Sequence, residues 1–467
     1  MKKVVVLGAG ITGLDVGWQL CKEGFKVIII DKQKFVGGLA TTVHHENYKM
    51  DIGPHYITLP DNSSRIHELQ ELIGTEEFKE IQVSVKVWFH GKIIDQYPTL
   101  YDVMFRYGLK FTIQSFLSFF AAKVNNFTKD KVFSSAQEYC INTYGKFLYE
   151  IWFKPRLIRR FGETGNISKD MALELFPEIS SKKLFSFLKK RSSHFSVNID
   201  YSEGSCDFYC KNGIGVLALK LKNNIEKMGG EIFLGRKILS IDHSQNKIIM
   251  IDDSERNEIS TDIIVYATPP SVALSWFKDI PEKLKNESNS KPAANSIMIF
   301  LFIDTPKLFD GWIIDVYDPS LVFFRIAQQN YLSESVCPPK KTLLSVEIRS
   351  SDTDPKWKMS DETLVKIVKN DLKKMKILEK QNIDGFKILK IPRVYPVLDS
   401  SSNPNSIIEF INSFKNEYTL GTLIADPGTL VTSKRKGEKA KKSPIGLTAV
   451  LLKTPDLVKK ILLENKN

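Results

Sequence analysis

The sequence predicts an α/β fold, and three features near its start support that prediction. An apolar run, Val4–Leu7, leads into a glycine-rich turn over residues 8–13. A second apolar run, Val27–Ile30, follows an amphipathic helical segment and ends at Asp31. The order of strand, glycine turn, helix and acid-tipped strand is that of a Rossmann-like βαβ unit, which binds a dinucleotide.

Each residue of the glycine turn has a predicted role. Gly8 permits the sharp turn out of the first strand, and Gly10 lets backbone amides approach a pyrophosphate closely. Gly13 allows the helix to pack close to the strand. Ile11 and Thr12 open that helix, whose N-terminus attracts a negatively charged phosphate. We therefore expect all five residues to contribute to a nucleotide site.

The acid at the end of the second strand indicates which kind of nucleotide is bound. Asp31 lies 18 residues beyond Gly13, where a carboxylate accepts hydrogen bonds from ribose hydroxyls and repels a 2′-phosphate. Lys32, the next residue, belongs to the same predicted site. The unit therefore favours a dinucleotide without a 2′-phosphate.

A second set of glycines follows the acid and favours FAD over NAD. A simple nicotinamide-dependent dehydrogenase would run directly from this point into its next helix and strand. Here the chain makes a second close backbone approach, which suits a longer cofactor carrying a flavin ring. The predicted contacts in these two short segments are Gly37, Gly38, Leu39, Ala40, Gly53, Pro54 and His55.

These segments resemble the FAD-dependent amine oxidoreductase superfamily. They are most similar to its branch of protoporphyrinogen-oxidase-like proteins and UDP-galactopyranose mutases. The resemblance extends over residues 1–400, in segments that keep the family's order: 91–98, 144–155, 211–215, 238–241, 262–270 and 394–397. It implies FAD as the cofactor, with Ile238 in the strand that meets the adenine. It also implies that Ala267 closes the last sheet strand before the chain leaves the FAD-binding domain.

The C-terminal residues depart from the family pattern at the flavin end. Thr422 follows Gly421 where the family carries a basic or acidic residue. Gly446 lies in Pro444–Val450, a segment that looks like the start of the family's closing helix. The resemblance implies that Gly421 and Gly446 contact the cofactor. A degenerate member that holds FAD weakly, or not at all, is the alternative.

The predicted domains interleave along the chain. An FAD-binding domain is assembled from residues 1–60, 205–275 and 390–467. Residues 61–204 form a mainly helical substrate region, and residues 276–389 supply the sheet and helices of the substrate domain. The latter segment is predicted to contain strands at Ile297–Ile303 and Thr342–Glu347 and a helix at Asp361–Lys374. The expected fold is a Rossmann-like FAD-binding domain interleaved with an α+β substrate domain that contains a helical insertion. The length of 467 residues suits two or three domains.

Charge and cysteine content exclude several classes of protein. The net charge is +12, but the lysines are spread along the chain, so no nucleic-acid partner is predicted. The dense basic run over 434–442 is expected to be a solvated loop, with contact to anionic lipid or a phosphorylated substrate as the alternative. The five cysteines lack a zinc-ligand pattern, so no metal is predicted and a cytoplasmic location is expected.

One segment of the helical region raises the question of membrane contact. Its apolar residues recur at helical spacing and form one face: Phe105, Leu109, Ile113, Phe116, Leu117 and Phe120. No run of about 20 apolar residues exists, so a membrane span is not predicted. We expect this helix to be buried in the substrate domain. Peripheral membrane contact is the alternative, and it would suit an apolar or lipid-linked substrate.

Three functions stay open from the sequence. The first is an FAD-dependent oxidoreductase that transfers hydride from a small organic substrate to flavin. The second is a redox-neutral mutase acting on a nucleotide sugar, although Tyr56, Ile57 and Thr58 follow His55 where mutases show a histidine-aromatic-histidine run. The third is a non-catalytic homologue. The oligomeric state is not predicted.

His55 is the one predicted catalytic residue. The segment Asp51–His55 is expected to pass beside the flavin ring, where an imidazole would polarise substrate or flavin. A structural histidine bonded to the backbone is the alternative. A flavin that accepts hydride needs no strong acid or base, so no triad or carboxylate pair is expected.

Overall fold

The structure is a computed structural model of the chain. It describes residues 1–96, 100–126, 133, 135–162, 167–169, 204–252, 255–289, 294–395, 404–420 and 447–465. The chain divides into two compact units. The first comprises Met1–Ile81, Tyr201–Lys291 and Asn403–Asn467, and the second comprises Gln82–Asp200 and Pro292–Ser402.

The described strands are, in chain order, β1 (Lys3–Leu7), β2 (Lys26–Asp31), β3 (Thr42–His45), β4 (Tyr48–Asp51), β5 (Ile57–Pro60), β6 (Phe78–Ile81), β7 (Val85–Phe89), β8 (Lys92–Asp95), β9 (Ser205–Cys210), β10 (Glu231–Leu234), β11 (Lys237–Asp242), β12 (Lys247–Asp252), β13 (Glu255–Ser260), β14 (Ile263–Tyr266), β15 (Ala294–Ile303), β16 (Ile313–Val316), β17 (Arg325–Gln328), β18 (Thr342–Ser350), β19 (Ile383–Tyr395) and β20 (Glu417–Thr419).

The described helices are α1 (Ile11–Lys22), α2 (Ser64–Ile73), α3 (Leu100–Tyr107), α4 (Leu109–Asn126), α5 (Ala136–Tyr144), α6 (Lys146–Leu148), α7 (Lys154–Phe161), α8 (Gly215–Lys227), α9 (Pro270–Leu274), α10 (Glu282–Asn289), α11 (Pro355–Lys358), α12 (Asp361–Lys374), α13 (Pro404–Asn412) and α14 (Leu447–Glu464). A π-helical turn covers Tyr149–Phe153, and 3₁₀ turns cover Gln329–Tyr331 and Glu334–Val336.

The first unit is built on a parallel sheet of five strands in the order β10-β2-β1-β14-β20. Val4–Leu7 and Val27–Ile30 are buried at its centre, as apolar runs must be in a sheet that is covered on both faces. The helix α1 runs between β1 and β2, so the predicted βαβ unit is present. The predicted α/β class with a Rossmann-like sheet is confirmed.

Three smaller antiparallel sheets accompany the parallel sheet in the first unit, in the orders β11-β12-β13, β5-β9-β6 and β3-β4. The strand β6 pairs with β9, and this pairing ties residues 78–81 to the first unit. The sequence analysis assigned residues 61–204 to the substrate region, whereas the first unit extends to Ile81. Apolar spacing gives no information about which distant strand an edge strand will pair with, so this limit is not visible in the sequence.

The second unit is built on a sheet of seven strands in the order β19-β15-β18-β17-β16-β7-β8. One face of this sheet packs against α12 through Leu364, Val368 and Leu372, all of which are buried. The sequence predicted strands at Ile297–Ile303 and Thr342–Glu347, and both are present within β15 and β18.

The helix pair α3 and α4 corrects one expectation. The predicted helix is present, broken at Gly108, which has a φ of +86°. Its apolar face was expected to be buried, and that expectation is wrong, because the side chains of this face are exposed to solvent. Helical spacing identifies which residues share a face, but it does not say what that face meets.

Several predicted features lie outside the described residues. They are the cofactor contacts Gly421 and Gly446, the departure from the family pattern at Thr422, the basic run over 434–442, and the segments 97–98 and 396–397 of the family resemblance.

Candidate functional site

The candidate site lies at the carboxyl ends of the parallel strands of the first unit. Gly8 directly follows β1, Asp31 ends β2, and Ala267 directly follows β14. Ligands of open parallel sheets bind outside the carboxyl ends of the strands, so these residues stand at the expected edge.

The turn after β1 is closed by tight backbone packing. Gly8 has a φ of +118°, and a Cβ on it would lie 2.7 Å from the carbonyl oxygen of Ala267. A Cβ on Gly13 would overlap the carbonyl oxygen of Gly8. Gly8 is therefore required by the packing of the turn against Ala267. Gly13 is required by the packing of α1 against the turn, as the sequence predicted.

Gly10 differs from its two neighbouring glycines. It is the N-cap residue of α1, and a Cβ on it would meet no atom within 4 Å. Its φ of −69° is accessible to any residue, so neither strain nor internal packing explains a glycine here. The space in front of Gly10 fits a ligand group that approaches the backbone closely, and the adjacent N-terminus of α1 favours an anion.

The first turn of α1 also offers a buried hydroxyl. The side chain of Thr12 is fully buried, and its Oγ1 has no hydrogen-bond partner within the described part of the chain. The Oγ1 of Thr268, after β14, is also buried without a hydrogen-bond partner in the described part of the chain. Thr268 lies beside the turn, since its Cγ2 would be 3.0 Å from a Cβ on Gly8. Buried hydroxyls are rarely left without partners, so these two groups suit a polar ligand such as a phosphate. Ile11, between Gly10 and Thr12, is buried.

Asp31 braces the glycine turn through the backbone. Its Oδ2 accepts a hydrogen bond from the N–H of Ala9 at 2.7 Å, and its Oδ1 accepts one from the N–H of Gln33 at 2.8 Å. Each carboxylate oxygen has a second lone pair, so these bonds leave capacity to accept from a ribose hydroxyl. Lys32 is exposed beside it.

The second glycine pair contacts the first turn directly. The N–H of Gly37 donates to the carbonyl oxygen of Ala9 at 2.8 Å. A Cβ on Gly38 would lie 3.4 Å from the Cα of Gly10, and Gly37 and Gly38 have φ values of +102° and +61°. The structure therefore brings the two glycine segments together.

The residues that follow this pair complete the turn. The N–H of Ala40 donates to the carbonyl oxygen of Gly37 at 3.1 Å, which closes the turn on itself. Leu39, between them, is half-buried.

Asp51 is a buried carboxylate that the sequence analysis did not single out as a site residue. It accepts hydrogen bonds from the hydroxyls of Thr42 at 2.6 Å and Tyr209 at 2.5 Å, and from the N–H of Ile214 at 3.2 Å. Burial raises the pKa of Asp51 to about 6, although these three donors oppose the shift. Its signal in the sequence is an acid inside an otherwise apolar strand end, directly before Ile52 and Gly53.

His55 folds back beside the glycine before it. Gly53 has a φ of +121°, and a Cβ on it would lie 3.1 Å from Cε1 of His55. Pro54 and His55 are both half-buried. A few residues later, the backbone N–H of Thr58 donates to the hydroxyl of Thr448 at 2.9 Å.

That hydrogen bond carries information about the C-terminal helix. Thr448 lies in the first turn of α14, so the start of the last helix is fixed beside the segment that contains His55. The family resemblance implies a closing helix at this place in the chain, and α14 begins at Leu447.

Ile238 and Ala267 lie next to the residues that the sequence grouped with them. The N–H of Arg236, just before β11, donates to the carbonyl oxygen of Asp31 at 2.9 Å, which places the start of β11 beside the acid. Ile238 is buried in that strand. The N–H of Ala267 donates to the carbonyl oxygen of Leu7 at 2.9 Å, so Ala267 belongs to the wall of the glycine turn.

The helix α1 is anchored by a buried ion pair. Nη2 of Arg65, in α2, lies 2.7 Å from Oδ1 of Asp15, and both side chains are almost fully buried. Burial alone would lower the pKa of Arg65, but the carboxylates of Asp15 and Glu68 raise it. The helix α1, which begins at the glycine turn, is therefore held by a charge pair as well as by apolar packing.

The second unit carries a group of arginines on its seven-stranded sheet. Nε of Arg325 lies 3.0 Å from Oδ1 of Asp315, and Nη2 of Arg156 lies 3.7 Å from the other oxygen of that carboxylate. Burial alone would raise the pKa of Asp315, but Arg325 and Arg156 lower it. These arginines are thus compensated by a carboxylate.

Arg349 is different. Burial lowers its pKa, and its Nε has no hydrogen-bond partner among the residues that the structure describes. Gly162, with a φ of +96°, makes room for it, since a Cβ there would overlap the guanidinium. A guanidinium for which the described residues supply no carboxylate suits an anionic ligand.

Comparison with known proteins identifies one family. The family of flavin containing amine oxidoreductases matches residues 11–391. The chain is 23% identical over 373 residues to 4,4'-diaponeurosporene oxygenase of Staphylococcus haemolyticus, covering 75% of this chain and 72% of that protein. It is 28% identical over 157 residues to phytoene desaturase of Cercospora nicotianae. That match covers 34% of this chain and spans only 23% of the desaturase.

Solved structures with a similar fold cover almost the whole chain. Reduced UDP-galactopyranose mutase superimposes with a TM-score of 0.77 at 15% identity, covering 100% of this chain and 97% of the mutase. A protein of Exiguobacterium that is provisionally assigned as a protoporphyrinogen oxidase has a TM-score of 0.71 at 15% identity, with 99% of each chain covered. At this identity the likeness shows the fold alone. Within the described residues, no helix is long and apolar enough to cross a bilayer.

Proposed function

Because the chain belongs to the family of flavin-containing amine oxidoreductases, we propose that it is an FAD-dependent oxidoreductase that removes a hydride from a small organic substrate. The family predicted from the sequence is confirmed, and so is FAD as the cofactor. What we propose beyond the family and the cofactor is the activity, the kind of substrate and the roles of individual residues.

The observation that carries the proposal is the space in front of Gly10. A Cβ there would meet nothing within 4 Å, while Gly37 and Gly38 pack against the same turn. The residues at this place fit a pyrophosphate, because they offer a helix N-terminus and the buried hydroxyl of Thr12 without a partner within the described residues. We assign this turn to the pyrophosphate of FAD.

The other residues of the site have roles that follow from their positions. Asp31 would accept hydrogen bonds from the ribose of the adenosine half, and Ile238 would meet the adenine. Gly53 and His55, beside the first turn of α14, would lie at the flavin half. FAD, when bound, accepts the hydride and its electron pair. The chain's contribution there is to hold the substrate, exclude water and, through the imidazole of His55, orient a polar group.

The first experiment measures flavin in the purified protein. We expect a yellow protein with flavin absorbance, and loss of that absorbance when a substrate is added without air. A colourless protein that stays colourless after FAD is added would contradict the proposal and favour the non-catalytic homologue.

A pair of glycine variants tests the assigned pyrophosphate site. Gly10→Val should abolish flavin retention, since its side chain fills the space that we assign to the pyrophosphate. The control is Gly24→Ala, just beyond the other end of α1, where a Cβ also meets nothing within 4 Å. Its φ of +81° strains an alanine, so this variant carries a backbone cost without filling the space that we assign to the pyrophosphate. Gly24→Ala should keep its flavin, and equal flavin content in both variants would remove the basis of the assignment.

His55 is tested separately from binding. His55→Gln should retain FAD but slow the reduction of the flavin by substrate, with a change in the pH profile between about pH 5 and pH 8. An unchanged rate and pH profile would assign His55 a structural role beside Gly53.

A nucleotide-sugar mutase is a second candidate, and Arg349 is the observation that favours it. The half-buried guanidinium of Arg349, whose Nε has no hydrogen-bond partner among the described residues, would pair with the diphosphate of such a substrate. Arg349→Lys and Arg349→Gln should then both raise the KM for a nucleotide sugar, the second more than the first. Turnover that requires prior reduction and loses no electrons would favour the mutase, and reduction of the flavin by substrate would favour the oxidoreductase.

A further inference from the structure

The helix α4 presents large apolar side chains to solvent. They form a continuous stripe at helical spacing, and each is between 47% and 62% exposed: Leu109, Ile113, Phe116, Leu117, Phe120 and Val124. We call these six residues the outer stripe. Phe105, at 79% exposed, continues it on α3. A contiguous exposed patch of this kind on a globular unit indicates an interaction surface.

The opposite side of α4 faces the protein and includes small or polar residues. The hydroxyl of Ser118 accepts a hydrogen bond from the N–H of Phe147 at 3.0 Å. Gly145 lies against the same turn, since a Cβ on it would overlap the backbone of Ser118. Ala122, one turn later, is buried. The helix is therefore attached through small residues and through Phe111, whose ring centroid lies 5.6 Å from that of Phe147. The six apolar side chains of the outer stripe point outward.

The charged residues between positions 103 and 126 have one sign. Arg106, Lys110 and Lys123 are exposed, and the sequence has no acidic residue between 103 and 126. The ammonium of Lys123 also lies 5.4 Å from the ring centroid of Phe119. An apolar stripe with exposed phenylalanines and a basic margin is the pattern of helices that lie in the headgroup region of anionic membranes.

The area of the outer stripe favours a membrane over a second copy of the chain as its binding partner. The 18 residues of α4 span about 27 Å, and a stripe about 10 Å wide offers roughly 300 Å². A stable protein interface needs about 800 Å² on each partner. A helix that lies on a bilayer needs no such area, because lipids conform to its surface. Among the described residues, no helix is able to cross the membrane, so contact from one side is the geometry that fits.

We propose that the outer stripe, with Phe105, docks this protein on the surface of an anionic lipid bilayer. The phenylalanines and leucines enter the boundary between headgroups and acyl chains, and Arg106, Lys110 and Lys123 meet lipid phosphates. The proposal does not depend on the proposed redox activity, because the surface belongs to α3 and α4 alone.

The test is sedimentation of the full-length protein with vesicles. Vesicles of phosphatidylcholine mixed with phosphatidylglycerol should bind the protein more strongly than phosphatidylcholine alone. Each phenylalanine that is replaced should lower the affinity for the mixed vesicles about tenfold or more, and the double variant Phe116→Gln/Phe120→Gln replaces both. Lys110→Gln and Lys123→Gln should each weaken binding to the mixed vesicles about fivefold, and less at high salt.

The matched control is Leu463→Gln, which removes an equally exposed apolar side chain, 65% exposed, from the last helix. It should bind vesicles as the wild type does. Equal loss in the control and the double variant would overturn the proposal, and so would failure of the wild type to sediment with mixed vesicles. A wild type that is dimeric by light scattering, with a monomeric double variant and no vesicle binding, would assign the stripe to self-association instead. Circular dichroism and flavin content confirm that each variant is folded.

Discussion

The helices α1 and α4 both carry small residues along one side, yet they use them in opposite ways. In α1, Gly13 and Gly17 let the helix approach the parallel sheet so closely that a Cβ on either would meet an atom at less than 3 Å. Its apolar side chains are buried along with them. In α4, the small residues Ser118 and Ala122 also face the protein, but the large apolar side chains of the outer stripe face solvent.

The difference shows how much the spacing of apolar residues says about the burial of a helix face. The same spacing of apolar residues defines a face in both helices, but only the neighbouring elements decide whether that face meets a sheet or the solvent. In α1 the neighbours are consecutive in the sequence, β1 and β2, so burial is predictable. The helix α4 also contacts its neighbours in the sequence, α3, α5 and α6, but they leave the outer stripe exposed, so the expectation of burial is wrong.

The largest expected effect comes from the buried charge pair that fixes α1. Arg65→Met should lower the free energy of unfolding by about 4 kcal/mol, because it leaves the carboxylate of Asp15 buried without a cation. Urea denaturation measures this. Glu68→Gln is the control, since Glu68 is partly exposed and its loss should cost less than about 1 kcal/mol. Equal costs would show that the pair does not anchor α1.

The next effect tests the contact between α1 and the glycine turn. Gly13→Ala should lower the free energy of unfolding by about 3 kcal/mol, because its Cβ overlaps the carbonyl oxygen of Gly8. Gly10→Ala should stay within about 1 kcal/mol of the wild type, since its Cβ meets no atom. Denaturation of the flavin-free protein gives both values. If the two variants were equally stable, the packing argument for α1 would fail.

A pH-dependent effect follows from Asp51. Burial raises the pKa of the Asp51 carboxyl to about 6 in the folded protein, against an ordinary value of 3.8. As the pH falls, Asp51 therefore takes up a proton in the folded state at a higher pH than in the unfolded state. Wild type should therefore gain stability relative to Asp51→Asn between about pH 7 and pH 4, by about 2 to 3 kcal/mol, and keep that gain at lower pH.

Denaturation curves at a series of pH values measure that difference. Taking the difference between the two proteins removes titrations that they share. A difference that stays constant with pH would mean that Asp51 keeps an ordinary pKa in the folded protein.

The smallest expected effect is on α4. Phe116→Gln should change the free energy of unfolding by no more than about 0.5 kcal/mol, because the ring is exposed. Phe300→Gln, in the core of the same unit, should cost at least about 3 kcal/mol. A large cost for Phe116→Gln would show that the outer stripe is covered by the protein itself.

The parts of the site that the sequence predicted are those encoded by local backbone constraints. Gly8, Gly13, Gly37 and Gly38 mark turns or close approaches, and such constraints need no knowledge of distant partners. Asp51 was missed as a site residue because its donors, on Thr42, Tyr209 and Ile214, come from three separate segments. Its burial and raised pKa arise only when those segments meet.

The parts of the fold that the sequence predicted are likewise those encoded locally. The parallel strands β1 and β2 follow from the βαβ unit, and α12 begins and ends at the predicted residues Asp361 and Lys374. The pairing of β6 with β9 was not predictable, since it joins strands more than 120 residues apart. Long-range pairing of short strands depends on packing that no local pattern records.

The backbone hydrogen bonds of Ala9 have a consequence for how the site opens. Its N–H donates to Asp31 and its carbonyl oxygen accepts from Gly37, so one residue links the first glycine turn, the end of β2 and the second glycine segment. Neither glycine segment is able to detach without breaking a hydrogen bond that the other needs. The amide protons of Ala9 and Gly37 should therefore exchange with solvent in one cooperative local opening, with a single free energy. Release of the nucleotide would then be governed by the stability of that small unit rather than by the stability of the whole fold.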